Sequence, residues 1–97
     1  MVRKIVWGHL AQKDRLQILY YWDNRNKSKT FSIKLNRLFK QDLNIVCQYP
    51  HIGKPTNKPN IRIKIVRDYL LVYEINTENI VVLRVWDSRR NPKDLLY

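Results

Sequence analysis

This sequence has little cysteine, little glycine and few acidic residues. A single cysteine, Cys47, can form no internal disulfide and has no second thiol to complete a zinc spacing, so a reducing compartment is expected and a structural metal is not. Two glycines, Gly8 and Gly53, are too few for a P-loop or a dinucleotide fingerprint, each of which needs several at fixed offsets. No apolar run approaches the roughly 20 residues of a membrane span. The stretch MVRKIVWGHL carries no signal-peptide core, so a cytoplasmic protein without a membrane partner is expected. His9 and His51 stand alone, with no Cys or carboxylate at ligand spacing, and no metal or other small-molecule cofactor is expected. Asn26-Lys27-Ser28 matches a glycosylation acceptor, which in a chain without a secretion signal reads as accidental.

Against that background, basic charge dominates. Nineteen Lys and Arg face eight Asp and Glu, a formal net charge of +11, and such a surplus attracts polyanions: nucleic acid, an acidic protein or a membrane face. Hydrophobic residues at 44%, with three Trp, six Tyr and two Phe, are enough for a packed interior, so residues 1–97 read as one two-layer domain rather than a disordered chain.

The apolar period changes along the chain. Residues 2–7, VRKIVW, read as a short strand bounded by Gly8. From about Leu10 to Asn24 the positions Ala11, Ile18, Leu19 and Trp22 make one helical face, flanked by Leu10 and Tyr21, with Arg15 inside the stripe. Ser28 is a plausible N-cap for a second helix carrying Phe31, Leu35, Leu38, Phe39, Leu43, Ile45, Val46 and Tyr49, which must stop near Pro50. Cys47, near its end, reads as a small core residue. Three prolines and a glycine make residues 49–59 an exposed loop. Then the period becomes two. Ile61, Ile63 and Ile65 alternate with Arg62, Lys64 and Val66, a half-buried strand with a basic outer face. YLLVYEI follows a turn at Asp68, and NIVVLRVWD follows a turn at NTEN. In that last strand Val81, Leu83 and Val85 share one face, and Ile80, Val82, Arg84 and Trp86 the other. The expected fold is α+β in the order β-α-α-β-β-β, one antiparallel sheet with an N-terminal helical hairpin packed on one face.

The basic residues cluster on these strands. Arg62 and Lys64 project from the first meander strand, Arg67 marks its turn, Arg84 lies on the last strand, and Arg89 and Arg90 follow its end. Alternate residues of neighbouring strands stand about 5–8 Å apart, so these charges are expected to form one patch on the sheet face away from the helices, suited to phosphate or to a protein target. Tyr69, Trp86 and Tyr97 offer stacking surfaces there, whereas Tyr73 in mid-strand reads as core.

Taken in order, L.I..YW..RN.S..FS.KL, YPHIGKPT, IRIKIVRDYLLVYEI and IVVLRVWDSR resemble the RelE/ParE superfamily of bacterial toxins over almost the whole chain. The resemblance implies the toxin of a type II toxin–antitoxin system, which inhibits growth when free and is neutralised by a cognate antitoxin protein. An acidic, partly disordered antitoxin segment is expected, burying apolar strips such as Ile80, Val82 and Trp86. The superfamily hosts two activities. The RelE-like branch is a ribosome-dependent, metal-independent mRNA endoribonuclease, and its pattern puts the catalytic positions at Arg62, Lys64, Arg90 or Arg89, and Tyr97. Where that pattern carries an arginine after the aromatic of DYLLVY, this chain has Leu70. The ParE-like branch poisons DNA gyrase and needs no catalytic residues. The long hairpin, the P.IGK loop, the apolar start of YLLVYEI and the RVWDSR ending resemble it more closely, so the gyrase-directed reading is preferred. The ribosome and mRNA are the alternative target, and a generic basic nucleic-acid-binding protein is the third reading.

Overall fold

In the computed structural model, which describes residues 2–97, the first extended run is shortened to β1, Lys4–Trp7. It stops at Gly8, whose N–H donates to Val82 O at 2.9 Å. A Cβ at Gly8 would stand 2.8 Å from that same carbonyl, so the close approach of two backbones requires glycine where the chain leaves the sheet. Helix α1, His9–Asn26, begins at once, and α2, Thr30–Gln48, follows a turn in which Lys27 is left-handed at φ 49°. The N-cap of α2 is Lys29, one residue later than expected; Ser28 instead accepts the Thr30 N–H on its Oγ at 3.2 Å. Pro50, with no N–H to donate, lies just past the helix end.

Residues 49–59 are more ordered than their proline content suggests. Pro50–Ile52 is a 3-10 turn, Lys54–Pro55 is a two-residue strand, β2, and Gly53 between them is buried. The anchor is Tyr73, a fully buried core residue as expected. Its hydroxyl donates to Pro50 O at 2.6 Å and accepts the Gly53 N–H at 3.0 Å. A Cβ on Gly53 would fall 2.6 Å from that hydroxyl, so glycine is what lets the loop close down on the sheet.

Three longer strands complete the sheet: β3 (Ile61–Val66), β4 (Tyr69–Ile75) and β5 (Asn79–Asp87), in the order β1-β5-β4-β3-β2. The meander is antiparallel, but β1 runs parallel to β5, so the sheet is mixed. Parallel pairing is open to β1 because the whole of the chain between, rather than a tight turn, joins it to β5. The helices cover one face. Ala11, Leu35, Phe39 and Leu43 pack on Val66, Tyr69, Leu71, Val82 and Val85, and Val46 and Cys47 pack on Tyr73 and Ile80. Each fully buried Leu or Phe contributes about 1.5–3 kcal/mol. Ile45 and Tyr49, placed by sequence on the same stripe, are exposed at 41% and 64%, because the buried arc of α2 passes through Val46 and Cys47 instead.

A bulge explains where simple alternation fails. Tyr73 pairs with Val82 but Val72 with Arg84, so β5 carries one extra residue at Leu83. Before the bulge the even residues Ile80 and Val82 face the helices; after it the odd residue Val85 does. Arg84 and Trp86 therefore lie on the opposite face from Ile80 and Val82, contrary to the sequence reading.

The orientation of β3 is also reversed. Arg62 and Lys64 pair with Tyr73 and Leu71, both core residues beneath the helices, so the cations lie on the helix side and the three isoleucines on the back. The back face is not bare: Ile61, Val72 and Trp86 are buried there. The C-terminal segment, after a short turn at Pro92–Asp94, crosses it, with Leu96 O accepting from Arg84 Nη1 at 3.1 Å and Tyr97 O accepting from Lys58 Nζ at 3.3 Å.

Candidate target-binding site

The cations do not form the single patch on the back face that the strand pattern suggests. Arg62 donates from Nη1 to His51 O at 3.0 Å and Gly53 O at 2.8 Å, so it clamps the loop before β2. Lys64 reaches Asp42 on α2, 3.5 Å away. Both are drawn to the helix side because acceptors stand there at the margin of the helical layer. Arg67 is exposed in the β3–β4 turn, left-handed at φ 55°. Arg84 is held in a fork by Asp14 on α1, Nε to Oδ2 at 2.7 Å and Nη2 to Oδ1 at 3.1 Å; these hydrogen bonds raise its pKa. Tyr97 sits beside Lys58 at the far end of the C-terminal segment. Leu70, in the position of the missing arginine, pairs with Trp86 and Ile65 on the back face. The proposed catalytic set, Arg62, Lys64, Arg90 and Tyr97, is thus spread over both faces of the sheet, and three of its members are engaged by other groups.

What the structure does bring together is the end of β5 and one face of α1. Beyond Val82 the outer edge of β5 is free of β1, and α1 crosses this opening. Asp14 fills part of it, accepting the Val85 N–H on Oδ2 at 3.1 Å. Beyond Asp14 lies a cleft of about 400 Å³, walled by Gln17, Ile18 and Tyr21 of α1, floored by Tyr69 and Val85, and bordered by Asp87, Arg89 and Arg90.

Its electrostatics are largely self-compensated. Asp87 accepts from Arg89 Nε at 3.0 Å and Nη2 at 2.7 Å, and from the Arg89 backbone N–H at 2.9 Å. The side-chain bond from Arg89 holds the Asp87 carboxyl below its usual range, and the same contact raises Arg89. Arg90 is different. It has no carboxylate partner among the described residues and lies over the Trp86 ring, 4.0 Å from its centroid. Burial pushes the Tyr69 hydroxyl up, against the opposing effect of the hydrogen bond it accepts from Trp22 Nε1 at 2.8 Å. The sequence reading named Arg89 and Arg90 at the strand end but expected Tyr69 as a stacking surface on the back face, whereas it is buried beneath the helices, and it did not include Asp14, Gln17 and Tyr21 in the site. Asp14 was detectable in principle: in a chain poor in acid, it sits between Ala11 and Ile18 at helical spacing.

A second surface lies on the outer side of the hairpin. Leu16, Tyr20 and Ile33 are exposed there around a groove of about 590 Å³. Arg25, Lys27, Lys29, Lys34 and Arg37 are exposed on the hairpin turn and the adjoining helices. By contrast Ile80, Val82 and Trp86, expected as an apolar strip for an antitoxin, are buried within this chain, because the helices and the C-terminal segment already cover them.

Among the described residues no group of three or more His, Cys, Asp or Glu is arranged to hold a metal, and no helix is long and apolar enough to cross a membrane. A search of curated proteins gave no match. One solved structure with the same fold is the chromosomal ParDE toxin–antitoxin system from P. aeruginosa. It superposes with a TM-score of 0.72 at 14% identity, covering 89% of this chain and 96% of that one. The family model described as the ParE toxin of the type II toxin-antitoxin system parDE matches residues 5–92. A match over nearly the whole chain, on a fold shared with a ParDE system, means that this protein belongs to the ParE toxins of type II toxin–antitoxin systems and implies a ParD antitoxin as its partner.

Proposed function

We propose that the free toxin arrests growth in the cytoplasm by poisoning DNA gyrase, using the end of β5 with Arg89 and Arg90 as its contact with the target. The observation that carries this reading is the dispersal of the residues an RNase would need. Arg62 is bound to loop carbonyls, Lys64 to Asp42, and Tyr97 lies on the back face beside Lys58. A group that must take a 2′-hydroxyl proton and cations that must meet the phosphate have to converge on one point, and these do not. Family membership supports the same branch.

In this reading the antitoxin contributes an acidic, partly disordered segment that folds along the outer hairpin, covering Leu16, Tyr20 and Ile33 among the surrounding cations. The experiment is a gyrase supercoiling assay with purified toxin, with and without antitoxin. Inhibition that antitoxin reverses is expected. Unchanged supercoiling together with cleavage of a translated message on ribosomes would replace this reading with the RNase one.

A further inference from the structure

We propose that the cleft between α1 and the end of β5 binds a single unpaired nucleotide, with its phosphate at the Arg90 border, another of its oxygens on the Tyr69 hydroxyl and its base against Tyr21. The inference goes beyond the gyrase reading and does not depend on it.

Tyr69 is the first reason. It is only 4% exposed, its oxygen accepts from Trp22 Nε1, and among the described residues no acceptor stands within reach of its own hydrogen. A phenol used only as an acceptor, at the floor of an open cleft, has a donor left for an oxygen that enters. Arg90 is the second. Its guanidinium lies over Trp86, and it carries the cleft's one arginine charge not matched by a carboxylate, since Arg89 is taken by Asp87. One uncompensated charge suits one phosphodiester.

The apolar wall separates a nucleotide from a bare anion. Tyr21 is half-exposed, and its ring is held upright by an edge contact with Trp22, centroids 5.2 Å apart at 82°. Ile18 and Val85 continue the surface, and the Gln17 amide has both a donor and an acceptor for a base edge. A cleft of about 400 Å³ is far larger than a carboxylate side chain needs and lies within the range of small-ligand sites. A base inside an intact duplex is stacked on its neighbours and does not reach Tyr21, so the nucleotide must be unpaired.

The test is fluorescence quenching of 2-aminopurine in a short single-stranded deoxyoligonucleotide by the purified toxin. Binding with quenching is expected, weakened about tenfold by Arg90→Ala and partly restored by Arg90→Lys. Tyr21→Ala should abolish the quenching, and Tyr69→Phe should weaken binding without altering the circular dichroism spectrum. Arg37→Ala, on the outer face of α2, should change nothing. A ribo-oligonucleotide of the same sequence distinguishes the two sources of such a nucleotide; quenching by either supports the site, and by neither overturns it. Equal affinity for a blunt duplex, displacement by a glutamate-rich peptide at matched charge, or an equal loss with Arg37→Ala would show bulk electrostatic attraction instead and overturn the proposal.

Discussion

Asp14 holds Arg84 across the open edge of the sheet, its two carboxylate oxygens 2.7 and 3.1 Å from Nε and Nη2 of the guanidinium. The same carboxylate takes the Val85 N–H, so one side chain ties α1 to the backbone and to a side chain of β5. Both partners are mostly buried, with side chains 15% and 12% exposed. Removing the acid leaves the Arg84 charge with only Leu96 O as an acceptor and the edge N–H of Val85 with none. Asp14→Ala is expected to destabilise the fold by about 3 kcal/mol. Urea unfolding measures this, and a loss under about 0.5 kcal/mol would mean that α1 is held here by packing alone.

Tyr73 serves the other end of the sheet in the same way. Tyr73→Phe deprives Pro50 O of its donor and the Gly53 N–H of its acceptor, at a cost of about 1–3 kcal/mol. Burial raises the pKa of Tyr73, so its contribution is complete below the ordinary tyrosine value near 10 and is lost as pH rises through the higher folded value. Tyr69 is raised as well, so Tyr73→Phe should shallow the alkaline loss of stability without removing it. An unchanged alkaline limb would contradict this assignment.

The acid limb has a different source. Arg89 holds the Asp87 carboxyl below its usual value, so its contribution is present above the ordinary value near 3.8 and disappears as pH falls through the lower folded value. The difference in urea midpoint between the protein and Asp87→Asn should be constant above about pH 5 and vanish below about pH 2. A difference that persists at the lowest pH would assign the effect of Asn to something other than the Arg89 contact.

Function should divide the basic residues. Lys64→Ala removes a partner of Asp42, a partly exposed ion pair worth about 1 kcal/mol or less, and should leave growth arrest intact. Arg90→Ala should reduce the potency of induced toxin about tenfold or more. Growth curves over a range of inducer, corrected for toxin level, give the comparison. Loss of arrest with Lys64→Ala would favour the RNase set, to which Arg90 also belongs.

Periodicity located the helical hairpin and the meander because their apolar spacing is strong, and it identified Ala11, Leu35, Phe39 and Leu43 as core. It failed where one residue shifts the phase. The extra residue at Leu83 carries Arg84 and Trp86 to the back face, and no local signal marks it. Arg62 and Lys64 misled for a related reason: an outward, solvated cation and an inward one satisfied by Asp42 or a loop carbonyl have the same alternation. The cleft was half legible. Arg89 and Arg90 follow a strand end in the sequence, whereas Gln17 and Tyr21 join them only because α1 crosses the edge that β1 leaves free.

The most direct test of toxicity through the strand end, rather than through RNA hydrolysis, is the yield of covalent gyrase–DNA complexes trapped by detergent after incubation with the toxin. Trapped complexes are expected with the unmodified toxin and with Lys64→Ala, and few with Arg90→Ala. No trapped complexes with the unmodified toxin, at concentrations that arrest growth, would contradict toxicity through the strand end.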